Sequence, residues 1–232
     1  MRNIFSIIVL GCIFISCGTS SKIINYSKKP DDIFVNNNLR KFLKENPSPK
    51  IVLRVPNSDD KATSNTSTSK DNNLLYNAIE KEFLKGGFSV RDRGLFNEII
   101  NKTGSTDYSK IQDLTNTDLI LEVVNIDPAI IYTTNKVTLV SKKRKSEQIQ
   151  EIDYKRYGAS VEYRLIIVKN NEIAGTYKYN YKPCPDGCEI SSFSFSNKRS
   201  KEISLKETVS VNALEEFIKY STQDLIKSFK GI

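Results

Sequence analysis

The chain has 232 residues, 35 Lys and Arg against 27 Asp and Glu for a formal net charge of +8, four Cys and no His. Without His there is no Ser-His-Asp or Cys-His nucleophile system, no His-ligated zinc and no imidazole proton shuttle. Paired-carboxylate chemistry survives that exclusion; a four-Cys metal site does not, because only Cys184 and Cys188 lie beyond the N-terminal region.

Chain order begins with an address. Arg2 supplies a short positive region, Ile4 to Ile15 is almost wholly apolar, and Phe14-Ile15-Ser16-Cys17 closes the run. That is the layout of a secretory signal peptide over residues 1–16. The Cys and the polar Gly18-Thr19-Ser20-Ser21-Lys22 after it resemble a bacterial lipoprotein signal, with Phe14 where Leu is usual. The implied chemistry attaches a diacylglycerol, palmitate among its acyl chains, to Cys17 and cuts the chain before it. Val9-Leu10-Gly11-Cys12 is a second possible box, but it leaves a short apolar region and an apolar sequence after it. The apolar run is shorter than the roughly 20 residues a spanning helix needs. Gly18 lacks the Asp associated with inner-membrane retention, which favours the outer membrane. Export argues against nucleic acid as the partner of the basic surface. Anionic headgroups, lipopolysaccharide or an acidic protein remain, as does a Lys-rich surface from compositional bias.

Removing residues 1–16 leaves 216, enough for one domain with elaborations. Residues 17–48 are polar, with Asn36-Asn37-Asn38 and Pro30 and Pro47, and read as a lipidated tether with one helical turn around Leu39–Leu43. The domain itself is assigned to residues 49–232. Lys50 to Val55 is a core strand ended by Pro56, and Asn57 to Asn73 a low-complexity polar loop. Leu74, Leu75, Ala78, Ile79 and Phe83 recur at helical spacing, predicting a helix over 72–85 that Gly86-Gly87 terminates. Phe88–Val90 reads as a short strand, and Asp92 caps a second helix with a Leu95, Phe96, Ile99, Ile100 stripe. Tyr108 to Leu114 is a third short helix, and Asp118 to Val124 a buried strand.

From Pro128 the period changes to two. Ala159–Val168 and Ile173–Tyr181 are strands joined by a tight turn at Lys169–Glu172, with Val161, Tyr163, Leu165 and Ile167 on one face. A helix over 209–229 follows, striped by Val211, Leu214, Phe217, Ile218, Leu225 and Phe229. The order predicts an α/β sandwich with hairpin extensions and a long C-terminal helix.

Several residue groups admit a chemical reading beside a structural one. Cys184-Pro185-Asp186-Gly187-Cys188 is a small loop whose cysteines form a disulfide in an oxidising compartment, or stay free if the loop holds their Cα atoms apart. Asp92 and Arg93 read as a helix cap and an ion pair rather than an active-site couple. Asp59, Asp60 and Asp71 are solvated loop acids before they are cation ligands. Tyr177, Tyr179 and Tyr181 lie at period two on one face, where packing is commoner than glycan stacking. No catalytic residue, metal site or cofactor is assigned.

The block Gly87-Phe88-Ser89-Val90-Arg91-Asp92-Arg93-Gly94-Leu95-Phe96-Asn97-Glu98-Ile99-Ile100 resembles one in the curli-secretion (CsgG-type) lipoprotein family. Thr117-Asp118-Leu119-Ile120-Leu121-Glu122 is similar to the strand that follows it there. Ala159 to Val168, with Glu172-Ile173-Ala174 after the turn, resembles the family's hairpin. The likeness spans about residues 50–229, with Asn170-Asn171 where Thr-Gly is frequent and Val123 in place of a Gly. It implies a CsgG-like fold, a lipid-anchored outer-membrane protein facing the periplasm, and homo-oligomers contacting other envelope proteins. In the family's channels each subunit gives two hairpins to one barrel; here they map to about 128–158 and 182–208. Membrane strands need about 9–11 residues of apolar-out, polar-in alternation. Ser192–Ser196 and Val137–Val140 show some, but Lys142–Lys145, Glu147–Arg156 and Asn197–Lys201 are dense in charge. Three functions follow in order of preference: a non-enzymatic assembly or secretion lipoprotein, a channel subunit, and a two-carboxylate hydrolase.

Overall fold

The computed structural model describes residues 21–55, 69–103, 107–141, 144–190 and 208–231. The signal peptide, Cys12, Cys17, Asp59-Asp60 and most of the second expected hairpin, including Ser192–Ser196 and Asn197–Lys201, lie outside these residues. The elements are β1 (Ser21–Ile24), β2 (Asp32–Val35), α1 (Asn37–Glu45), β3 (Lys50–Arg54), α2 (Ser69–Lys85), β4 (Ser89–Arg91), α3 (Arg93–Thr103), α4 (Gln112–Thr115), β5 (Leu119–Ser141), β6 (Arg144–Ile167), β7 (Glu172–Tyr181), β8 (Cys188–Ile190) and α5 (Val211–Lys230). Short 3-10 turns stand before α4 and after β6.

One mixed sheet organises them, and β5 is its spine. The first residues of β5 pair in parallel with β3, which pairs in parallel with β4. The far end of β5 pairs antiparallel with β1, and β1 with β8. Along its other edge β5 pairs antiparallel with β6, followed by β7 and β2. The mixed sheet, the α/β class and the long C-terminal helix match the expected fold.

Alternation decides the layers. One face of the sheet presents Ile51, Leu53, Leu119, Leu121, Tyr163, Leu165 and Tyr177 to α2 and α5, whose Phe83 and Phe229 rings meet 6.1 Å apart. The opposite face presents Val52, Ile120 and Ile166 to Phe96 of α3 and Tyr108. Asp92 Oδ1 accepts from the Leu95 amide at 2.6 Å and starts α3. Gly87, at φ +83°, ends α2 in a Schellman closure in which the Phe88 amide donates to the Phe83 carbonyl.

The expected tether over 17–48 is corrected by the described part of that stretch. Its residues 21–24 and 32–35 are strands of the sheet, and residues 37–45 are a helix whose Leu39 is fully buried. Asn36, expected as part of a polar run, caps that helix by accepting from the Leu39 amide at 2.8 Å. Helix α2 begins at Ser69, inside the expected polar loop. The third helix is a 3-10 turn followed by one α turn. At the β6–β7 connection Asn171 adopts φ +51°, a left-handed geometry that Asn tolerates.

The strand expected over 118–124 does not stop there. It runs for 23 residues and is answered by the 24 of β6, so the first expected hairpin is a continuation of two core strands. At about 3.3 Å per residue each strand spans roughly 75 Å before bending. Register shifts at Val123/Asn125, Asp127/Ile130 and Thr134/Lys136 bend it. Pro128, which has no amide to donate, lies in the second shift. Opposite it, Gly158 passes so close to the Tyr181 carbonyl and the Tyr132 ring that an added Cβ would fall 2.2 and 2.5 Å from them. Beyond this point Ile24, Tyr26, Tyr132, Val137 and Cys188 form a separate small core.

Candidate functional site

The structure disperses the residues that the sequence singled out. Asp92 is a cap, and Arg93 reaches from α3 to α2, 5.3 Å from the Tyr76 ring centroid and 3.8 Å from Glu80. Burial raises the Glu80 pKa and the Arg93 charge opposes the rise. That pair joins two helices. Cys184 and Cys188 are joined by a disulfide with their Cα atoms 5.2 Å apart. Tyr177 and Tyr179 are core residues stacked at 6.5 Å, so packing is their role. Asp71 falls within α2. Among the described residues no group of three or more Cys, Asp or Glu is placed to hold a metal ion, and no helix is long and apolar enough to cross a membrane.

Two arrangements were not legible in sequence. The first is a cross-strand row in which the buried Glu122 carboxylate on β5 accepts from Arg54 on β3 and, at 3.0 Å, from Arg164 on β6. Parity places all three on the α3 side, and the Arg54 guanidinium lies 5.7 Å from the Tyr108 ring. One buried charge held by two cations on neighbouring strands is an ion-pair lock on the sheet.

The second is a groove of about 620 Å³ between α5 and the disulfide loop. Tyr181 and Phe217, with rings 5.5 Å apart, lie along it, and Tyr220 stands on its outer side, 59% exposed. Glu216, Asp224 and Asp186 contribute carboxylates and Lys28 and Lys182 ammonium groups. The disulfide loop builds one wall. Gly187 has φ +96°, and an added Cβ would lie 2.3 Å from Ile23 of β1, so the loop turns tightly against that strand.

A third surface is the outer half of the β5–β6 hairpin. Ile131, Ile149 and Ile152 are 53%, 74% and 62% exposed there, although each is large and apolar. Around them stand Lys136 and Glu147, paired across the strands at 3.7 Å.

Neither a protein-family model nor a curated protein sequence matches the chain. Among solved structures, the PelC dodecamer from Paraburkholderia phytofirmans aligns with TM-score 0.39 and 10% identity, covering 84% of this chain and 96% of that one. A PelC variant dodecamer from the same organism aligns with TM-score 0.36 and 10% identity, covering 90% and 97%. A likeness of that extent transfers no residue, ligand or assembly to this chain.

Proposed function

We propose that the chain is an outer-membrane lipoprotein, anchored through Cys17 and facing the periplasm, that works without catalysis in envelope assembly or protein secretion as a homo-oligomer. The observation that carries the reading is the β5–β6 hairpin, which runs out past the helix-covered sheet and exposes Ile131, Ile149 and Ile152. A projecting arm with exposed isoleucines among charged residues fits a protein–protein contact, whose buried centre is apolar and whose rim is polar. The lipoprotein-type signal, the absence of His and the motif resemblance to curli-secretion lipoproteins support the rest.

The alternative, a subunit of a secretion channel, asks the same hairpin for a lipid-facing band. Its outer half instead places Lys136, Glu147 and the exposed Glu151 and Asp153 beside the isoleucines. Charges on a lipid-facing strand surface are costly near the bilayer centre. That observation favours a contact arm outside the bilayer.

Negative-stain electron microscopy of the detergent-extracted full chain separates the readings. Discrete oligomers without a stain-filled centre are expected. Rings with a central pore would establish the channel, and particles of single-chain size would remove both.

A further inference from the structure

We infer that the groove between α5 and the disulfide loop binds a neutral oligosaccharide, with a sugar ring laid on Tyr220 and its hydroxyls donating to Glu216 and Asp186. The inference is independent of the hairpin and of the oligomer it implies.

Size and chemistry select the ligand class. About 620 Å³ lies within the range of small-ligand sites. A sugar offers an apolar C–H face to an aromatic ring and a rim of O–H groups to acceptors. The groove has the complement: the Tyr220 ring exposed, Tyr181 and Phe217 beneath, and carboxylates along the edge. Tyr220 is held loosely, its hydroxyl 3.4 Å from Glu216 Oε1, so the carboxylate retains free acceptor capacity. Asp186 makes no ion pair among the described residues, whereas Asp224 is engaged by Lys227 at 2.8 Å and Lys28 by Asp31 at 2.6 Å.

Tyr179, only 5% exposed, is a further aromatic residue of the lining.

Other occupants fit less well. An extended peptide would need a free strand edge, but the Asn180 amide already donates to Asp31 Oδ1 at 2.8 Å and its side-chain amide to the Pro30 carbonyl at 2.7 Å. An anion would meet Glu216, Asp224 and Asp186 against Lys28 and Lys182. The disulfide holds the Asp186 wall in place, so ordering it costs the ligand little.

The test is calorimetric titration of the full chain in detergent with cellotriose, N-acetylchitotriose and, as a cationic comparator, spermidine. Saturable binding of at least one trisaccharide is expected, weakened about tenfold by Tyr220→Ala and retained in Tyr220→Phe, as a stacking contact requires. Joint Cys184→Ser and Cys188→Ser replacement is expected to weaken binding while circular dichroism stays unchanged. Absence of trisaccharide binding, equal binding by Tyr220→Ala, or a preference for spermidine would each overturn the assignment.

Discussion

Tyr163 stands fully buried between the sheet and α5, its hydroxyl 3.3 Å from Ser221 Oγ and 3.2 Å from Thr222 Oγ1. Both of those hydroxyls donate to the Ile218 carbonyl, at 3.0 and 2.7 Å, so the phenol is the donor to them. Burial raises its pKa from 10.0 to about 12. The fold therefore favours the neutral phenol. That stabilisation is complete below pH 10 and is lost as pH rises toward 12. Tyr163→Phe should cost about 1 kcal/mol at neutral pH and flatten the alkaline loss, measured as urea midpoints across pH 7 to pH 12. At the other end of the chain, Cys17→Ser should abolish incorporation of labelled palmitate in cells, while Cys12→Ser retains it; the reverse pattern would move the anchor to Cys12. At this scale local features were legible. Asp92 and the Cys184–Cys188 loop act on neighbours within a few residues, so spacing alone reveals them. The Arg54–Glu122–Arg164 row joins residues 68 and 42 positions apart, and only strand pairing brings them together.

Among the elements, α1 shows where pattern reading fell short. Leu39 and Leu43 are buried and Phe42 packs beside them half-buried, while every other residue of the helix is polar, so the apolar signal amounts to one turn. Strands β1 and β2 are four residues each, and Ile33 and Phe34 of β2 are exposed, so neither carries the burial pattern of a core strand. Pairing with β5 and β7 specifies them instead. The long helices and the β6–β7 pair were legible because each buries one continuous face. Leu39→Ala should destabilise the chain by about 2–5 kcal/mol in urea denaturation, as loss of a fully buried leucine does. Phe34→Ala, at an exposed edge position, should change stability by no more than about 0.5 kcal/mol. If residues 21–45 were a tether, both substitutions would be silent.

At the scale of the whole molecule, β5 serves two bodies. Its first half lies in the helix-covered sheet, and its second half, beyond the second of three register shifts, supports the small core around Tyr132 and Val137 and, with β6, carries the exposed isoleucines outward. Sequence showed the change to period two at Pro128 but not that the same strand continued through it, since bulges interrupt the alternation on which such a reading depends. The disulfide loop belongs to the outer body, through Gly187 against Ile23, while its Pro185 and Asp186 face α5 across the groove. The arm's exposed isoleucines are apolar surface that the chain does not bury in its own folding. Sedimentation equilibrium of the detergent-extracted full chain, beside an Ile149→Glu, Ile152→Glu variant, tests its purpose most directly. A discrete multimer is expected for the parent chain and a monomer of unchanged thermal stability for the variant; a parent monomer, or a variant that assembles as the parent does, would contradict a role for the arm in assembly.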